Sequence, residues 1–214
     1  MKHESVNVTE DAVLGGIHAA MSLDDGQLPV HSSSLRVMGT GANVTTVGGP
    51  TDMPLQIENL LHTLNQRWSR FLGDSELSNL NNAPGVPQTV SEETLRLFQE
   101  MARGFSLTDG QFDPTVLPAL IAEGYSHSLV NPELRTRIPA GSPARGNFSR
   151  ITVDGQKVTL PAGTTVDSGG LGKGLAADMA IELAMSSGAL GALVEIGGDV
   201  RVSGLSPRSD RWRL

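Results

Sequence analysis

The residues best suited to chemistry in this chain lie in one short segment, DSGGLGKGLAAD, from Asp167 to Asp178. A β-rich run precedes the segment, glycines fill its first half, and a helical pattern follows it. A strand, a glycine-rich loop and a helix N-terminus in this order commonly bind phosphate, because backbone N–H groups and the helix dipole point at the anion. Lys173 adds a positive charge. The alternative interpretation is a glycine-rich turn with a lysine at the surface.

This segment does not match the common nucleotide-binding signatures. A Walker A loop needs a glycine six positions before its lysine, where Asp167 stands, and a serine or threonine after it, where Gly174 stands. A dinucleotide fingerprint that starts at Gly170 would need a small residue at position 175, which is leucine. An anion site here would therefore belong to neither of these two classes.

Three further segments fit either a ligand contact or a local structural role. The segment from Gln111 to Thr115 sets an aspartate and a threonine on either side of a proline, which also suits a helix cap. Met38-Gly39-Thr40 places a glycine inside a β-branched run, which predicts a strand with a bulge or a large group close to its backbone. Glu195 to Asp199 carries two acids about a Gly-Gly pair, and a tight hairpin is the favoured interpretation.

Composition excludes several other kinds of site. The chain has no cysteine, which removes disulfides, thiolate zinc sites and cysteine nucleophiles. Its five histidines lack metal-ligand spacing, and no G-x-S-x-G elbow is present. A net charge of −7 and an aromatic content of 4% argue against nucleic-acid binding. With no 18-residue apolar run and no signal-like start, we predict no membrane contact and a cytoplasmic location.

The first half of the chain is expected to supply a strand and two helices. Residues 1–34 are predicted to form a flexible N-terminal extension, with ordered structure beginning at Leu35. A strand over 35–47 and an amphipathic helix from Asp52 to Phe71 follow. After a polar loop, Ser91 is expected to cap a second helix. The predicted buried face of that helix consists of Leu95, Phe98, Met101 and Phe105.

The second half is expected to be richer in strands. Asp113 would cap a short helix that starts at Pro114, and 131–145 is predicted to be loop. Asp154-Gly155 between two β-rich runs predicts a hairpin. The remaining predicted elements are a strand at 164–167, a helix at 175–187 and strands at 192–196 and 200–203. This order lacks the regular alternation of a doubly wound sheet, so the predicted fold class is α+β.

Five motifs, taken in order, resemble the ApbE family, the FAD:protein FMN transferases. Members of this family typically show MGT, an aromatic residue before SELSxLN, GxFDPTxxP, DxGGxxKGxxxD and a strand ending in GGD. The matching segments here are Met38–Thr40, Ser69–Asn81, Gly110–Pro118, Asp167–Asp178 and Gly197–Asp199. The resemblance covers about residues 35–214. It implies an ApbE-like, T-fold-like domain in which a mixed sheet packs with helices.

The resemblance also implies an activity and a set of site residues. The implied enzyme is a Mg²⁺-dependent transferase that moves FMN from FAD onto a Thr or Ser hydroxyl of a target flavoprotein and releases AMP. The Gly170 carbonyl would contact the metal. The residues implied to contact FAD are Met38, Phe71, Gln111, Phe112, Asp113, Asp167 and Lys173. A metal-bound diphosphate needs N–H donors, carboxylates and a cation, and 167–174 contains all three types. The chemistry would be an in-line displacement at phosphorus, dominated by positioning.

The chain departs from the family pattern near its C-terminal end. The family's later D-A-x-x-T segment, whose Asp and Thr complete the metal site, has no counterpart before Leu214, so we expect 35–214 to be a partial, C-terminally incomplete domain. Gln111 and Ser168 stand where the family commonly has a small residue and leucine. Two alternatives follow: a non-catalytic flavin-binding remnant without those metal ligands, or a fragment without function whose sheet edges are unpaired.

Overall fold

Strands and helices follow one another in an irregular order in the computed structural model, which describes residues 28–128, 130–142, 146–208 and 211–213. The strands are β1 (Val30–Val37), β2 (Thr40–Val47), β3 (Gln88–Thr89), β4 (Thr152–Asp154), β5 (Lys157–Thr159), β6 (Gly191–Ile196) and β7 (Asp199–Gly204). The helices are α1 (Met53–Trp68), α2 (Glu76–Asn82), α3 (Glu92–Leu107), α4 (Leu117–Ala122) and α5 (Gly172–Ser186). The predicted α+β class is confirmed. Most of the predicted N-terminal extension lies outside the described residues.

The chain forms two compact units. Unit 1 comprises Met1–His62 and Lys173–Leu214, and unit 2 comprises Thr63–Gly172. Unit 1 carries an antiparallel sheet in the order β1-β2-β6-β7. Most of its buried apolar residues come from β2, β6, the start of α1 and an alanine-rich face of α5, among them Ala42, Val44, Met53, Ile57, Leu61, Ala176, Ala177, Ala180, Ala184, Ala192, Val194 and Ile196.

The first strand pair corrects the predicted single strand over 35–47. Strand β1 begins at Val30, five residues before the expected Leu35, and pairs with β2 along its whole length. The turn between them is Met38-Gly39, with φ of 50° and 77°. Positive φ at both positions is the type I′ geometry that matches the twist of a tight hairpin. Gly39 therefore serves a turn, and a Cβ there would meet no atom within 4 Å.

Unit 2 contains the end of α1, helices α2 to α4, and an antiparallel sheet in the order β3-β5-β4. The predicted hairpin is confirmed, since Asp154 pairs with Lys157 across its turn. The Ser91 cap is also confirmed, because its side chain accepts from the Thr94 N–H. The large buried apolar residues of this unit are Leu64, Trp68, Leu77, Leu80, Leu97, Phe98, Met101, Leu117, Phe148 and Leu160.

Three helical predictions also need correction. The polar loop before Ser91 contains helix α2, which Ser75 caps by accepting from the Ser78 N–H. The buried face of α3 includes Thr94 and Leu97, whereas the predicted Leu95 and Phe105 are only half-buried. Helix α5 begins at Gly172, three residues before the predicted start, since its glycines do not prevent helix formation when they lie in the first turn.

The segment at 164–167 is not a strand, because a side chain pairs with its backbone instead of another strand. The Asn81 amide donates to the Val166 carbonyl at 2.9 Å, and its oxygen accepts from the Val166 N–H at 2.7 Å. Asn81 is only 2% exposed, and Val166 is fully buried. One side chain of α2 thus satisfies both backbone groups of the residue that leads into the glycine-rich loop.

We expect Asn81→Ala to destabilise the chain, because it leaves two buried backbone groups without partners, at a cost of about 1–3 kcal/mol for each. Urea unfolding measures this loss. Asn79→Ala, at an exposed position on the same helix, is the matched control. Equal unfolding free energies for the two variants would contradict the role assigned to Asn81.

Candidate functional site

The glycine-rich loop holds its own shape through several of its backbone amides. The Gly169 N–H donates to Oδ1 of Asp167 at 2.7 Å. The N–H groups of Leu171 and Gly172 both donate to the Ser168 carbonyl, at 3.1 and 2.7 Å. The Ser168 hydroxyl in turn donates to the Trp68 carbonyl at 3.0 Å. These three amides serve the turn, so the anion cradle predicted from the sequence cannot use them without rearrangement of the loop.

Asp167, a predicted FAD contact, is half of an almost buried ion pair. Its Oδ2 lies 2.7 Å from Nε of Arg70, and the side chains are 12% and 11% exposed. Burial lowers the pKa of Arg70, and the Asp167 carboxylate opposes that shift. Desolvation is the larger effect, so burying the charged guanidinium costs free energy, and the attraction to Asp167 offsets part of that cost.

Arg70 is also the centre of a wider set of contacts in unit 2. Its terminal nitrogens donate to Oγ1 of Thr136 and to the Tyr125 carbonyl, each at 2.7 Å. Its guanidinium lies 4.3 Å from the centre of the Phe71 ring. Phe71, predicted on the α1 face, comes after the end of that helix and is half-buried. Arg70 therefore joins the glycine-rich loop to the segment around Tyr125 and to a predicted flavin contact.

The ring of Phe112 lies between two glycines. A Cβ added at Gly104 would stand 2.9 Å from Cδ1 of this ring, and one added at Gly170 would stand 3.2 Å from Cε2. The opposite edges of the ring therefore face α3 and the glycine-rich loop. The Asp167 N–H also donates to the Pro114 carbonyl at 2.9 Å. The GxFDP and DxGGxxKG motifs, far apart in sequence, are thus adjacent in unit 2.

Asp113 caps a short 3₁₀ helix, Pro114–Val116, as one of its two interpretations predicted. Its Oδ1 accepts from the Thr115 N–H at 2.9 Å and from the Thr115 hydroxyl at 2.6 Å. Its Oδ2 accepts from the Gly146 N–H at 3.0 Å. Gln111, two residues earlier, is exposed. The Asp113 carboxylate thus has a defined structural role, and its contact with FAD stays a prediction.

Two motifs and the lysine lie together in unit 1. The Gly197 N–H donates to the Gly41 carbonyl at 3.0 Å, and a Cβ added at Gly197 would stand 2.7 Å from the Thr40 side chain. The GGD turn therefore lies against the strand that follows the Met38-Gly39 turn. Asp199, at the end of the GGD turn, forms an ion pair with Lys173 at 3.2 Å.

The structure thus brings the predicted residues into two groups. Phe71, Phe112, Asp167 and Gly170 are connected in unit 2 through Arg70 and the Phe112 ring, and Met38 and Lys173 belong to unit 1. Sequence reasoning did not identify Arg70 or Gly104. No sequence signal marked Arg70, whereas a glycine inside a predicted helix was a usable sign of a close neighbour at Gly104.

Metal ligands are few in this region. Across the described ranges, no three His, Cys, Asp or Glu side chains come together in a way that could hold a metal ion. Within that same part of the chain, no helix has the length and apolar character needed to cross a bilayer.

Comparison with known proteins gives consistent matches. The ApbE family model matches residues 38–214. An FAD:protein FMN transferase from Vibrio cholerae is 29% identical over 191 residues, which covers 83% of this chain and 55% of that protein. The enzyme of the same name from Haemophilus influenzae is 29% identical over 168 residues, which covers 74% of this chain and 48% of that protein. The chain spans about half the length of these curated relatives.

Solved structures agree with these matches. The apo form of the flavinyl transferase ApbE from Pseudomonas stutzeri superposes with a TM-score of 0.75 at 25% identity, covering 90% of this chain and 64% of that one. The flavin transferase ApbE from Vibrio cholerae gives a TM-score of 0.70 at 27% identity, covering 87% of this chain and 63% of that one.

We expect Arg70→Met to lower the unfolding free energy by roughly 3–5 kcal/mol, because it leaves the Asp167 carboxylate almost buried without its partner. Adding Asp167→Asn should recover part of that loss, as a coupled pair requires. Thermal or urea unfolding of both single variants and the double variant measures the coupling. Arg103→Gln, which breaks an exposed ion pair with Glu100, is the control. Additive losses would show that Arg70 and Asp167 act independently.

The effect of Gly104→Ala on the unfolding free energy should change sign with the residue at position 112. Beside the native ring the new Cβ is too close to Phe112, so we expect destabilisation. In a Phe112→Ala background the same change should stabilise α3 by about 0.5–1 kcal/mol, the usual gain over glycine inside a helix. Unfolding free energies of the four chains test this, and the same effect in both backgrounds would refute the packing argument.

Proposed function

The chain belongs to the ApbE family, and we propose that it binds FAD and transfers FMN from it to a Thr or Ser hydroxyl of a target flavoprotein, with release of AMP. The observation that carries the proposal is the adjacency of two family motifs in unit 2: the Phe112 ring lies against Gly170, and the Asp167 N–H donates to Pro114. The meeting of the two motifs favours a shared ligand.

The proposed contacts differ in kind between residues. Lys173, in the first turn of α5, supplies an ammonium for a phosphate of FAD. Phe71 and Phe112 supply aromatic surface for the ring systems, and Arg70 already lies over one face of the Phe71 ring. Met38 and Gln111 stay as predicted contacts. Asp167 acts indirectly, because Arg70 and Gly169 already bind both of its oxygens.

The proposed reaction is a displacement at the phosphorus of the FMN half of FAD. The acceptor hydroxyl oxygen bonds to that phosphorus and the bond to the bridging oxygen breaks. AMP leaves with the electron pair of that bond, and the hydroxyl proton passes to water. The nucleophile belongs to the target protein, so this chain needs no activated side chain of its own. Its contribution is to bind and orient FAD and to stabilise charge.

A magnesium ion fits the described residues poorly. Gly170 would offer one carbonyl, and the oxygens of Asp167 already accept from Gly169 and Arg70. Mg²⁺ takes six oxygen ligands and usually binds through one or two carboxylates together with substrate phosphates. We therefore assign no step to the metal, although the family resemblance implies that the transfer depends on Mg²⁺.

A second function is supported by the same donor set. If the described residues hold FAD without completing a metal site, the chain would bind FAD and not turn it over. Binding without transfer is the non-catalytic alternative, and it predicts flavin binding that a chelator does not change.

The test incubates the purified chain with FAD, Mg²⁺ and a flavoprotein domain that carries an acceptor threonine, and it measures AMP by chromatography and covalent flavin by in-gel fluorescence. The proposal expects stoichiometric AMP and fluorescent target. Quenching of FAD fluorescence without AMP, unchanged by EDTA, would support the binding protein instead. A Lys173→Ala chain should bind FAD more weakly than the parent, and Arg103→Gln should bind it equally well. Absence of FAD binding by the parent would refute both functions.

A further inference from the structure

The GGD turn holds the lysine that the proposed function assigns to a phosphate. We propose that Asp199 is a positioning residue for Lys173, which orients the ammonium before the anion arrives. The predicted effect of Asp199 on FAD binding rests on the proposed function. The ordering of Lys173 that it requires can be measured without FAD.

Lys173 stands at a place where a cation needs a partner. It is the second residue of α5, and the positive end of a helix dipole disfavours positive charge there. The first turn of α5 contains no acidic residue that could compensate. The carboxylate comes instead from β7, where Oδ2 of Asp199 lies 3.2 Å from Nζ of Lys173. The pair is partly exposed, at 31% and 49%, so a ligand in solution can reach the ammonium.

The turn that carries Asp199 is held in place by bonds of Glu195. Oε1 of Glu195 accepts from the Gly198 N–H at 2.7 Å, inside the turn. Oε2 of Glu195 accepts from the Asn43 amide on β2 at 2.8 Å. Gly197 and Gly198 have φ of 58° and 93°, a tight turn that few other residues would allow. The carboxylate therefore projects from a braced turn and not from a free loop.

The ammonium can serve Asp199 and a phosphate at once. It has three N–H donors, and one bond to Asp199 leaves two for anionic oxygens. The negative charge of Asp199 also repels a phosphate, so removing it has two opposing effects. Positioning predicts weaker FAD binding in Asp199→Asn, whereas simple charge repulsion predicts tighter binding. The sign of the change decides between them.

The closing experiment measures FAD affinity of the full chain by fluorescence quenching. We expect Asp199→Asn to weaken binding by roughly two- to fivefold, the range for a partly exposed ion pair. Asp199→Glu should restore most of the affinity. Asp178→Asn is the matched control, because it also removes one negative charge from an ion pair between α5 and β7, that with Arg201. Unchanged or tighter binding by Asp199→Asn would overturn the proposal.

Two further arms separate positioning from a general loss of structure. In a Lys173→Ala background only the repulsion by Asp199 remains, so Asp199→Asn should cause no further loss of affinity and should leave binding equal or slightly tighter. An equal loss in both backgrounds would overturn the proposal. The chain has only three lysines, Lys2, Lys157 and Lys173, so ¹³C-methylated lysine signals can be assigned by substitution. The Lys173 signal should become more mobile in Asp199→Asn without FAD, and unchanged mobility would refute positioning even if the parent bound no FAD.

Discussion

The ion pair between Arg70 and Asp167 is the interaction on which the shape of the glycine-rich loop depends. Two charges that are only 11% and 12% exposed have lost most of their hydration, and only a close, well-directed contact offsets that loss. Asp167 also accepts from Gly169 and donates its own N–H to Pro114. The loop is therefore held from three directions by the chain itself, before any ligand is considered.

The same arrangement recurs in unit 1 with a more exposed pair. Lys173 is held by Asp199, and the turn that carries Asp199 is held by Glu195 and Asn43. In both units a cation near a family motif is matched by a carboxylate, so each motif is close to neutral. With a net charge of −7, the chain as a whole does not attract an anion such as FAD from a distance. The proposed binding of FAD would then depend on local geometry.

Most of the elements could be predicted from the sequence, because apolar periodicity and caps report local structure. The helix at Ile57, Leu61 and Leu64, the Ser91 cap and the 152–159 hairpin follow from such local signals. The predicted strand at 164–167 was wrong because the backbone there pairs with one distant side chain, that of Asn81. No local pattern in the sequence reveals such a partner. Arg70 escaped prediction for the same reason: its partners, at 125, 136 and 167, are brought close only by the tertiary fold.

The Phe112 ring between Gly104 and Gly170 has a consequence for how this family member can diverge. As long as position 112 is aromatic, a side chain at position 104 must displace the ring, and a scan of single substitutions would score position 104 as restricted. Once the ring is replaced by a smaller group, the restriction disappears. The order of changes therefore matters: replacing the ring first removes the cost of a side chain at position 104, and single variants alone would not show that this cost comes from position 112.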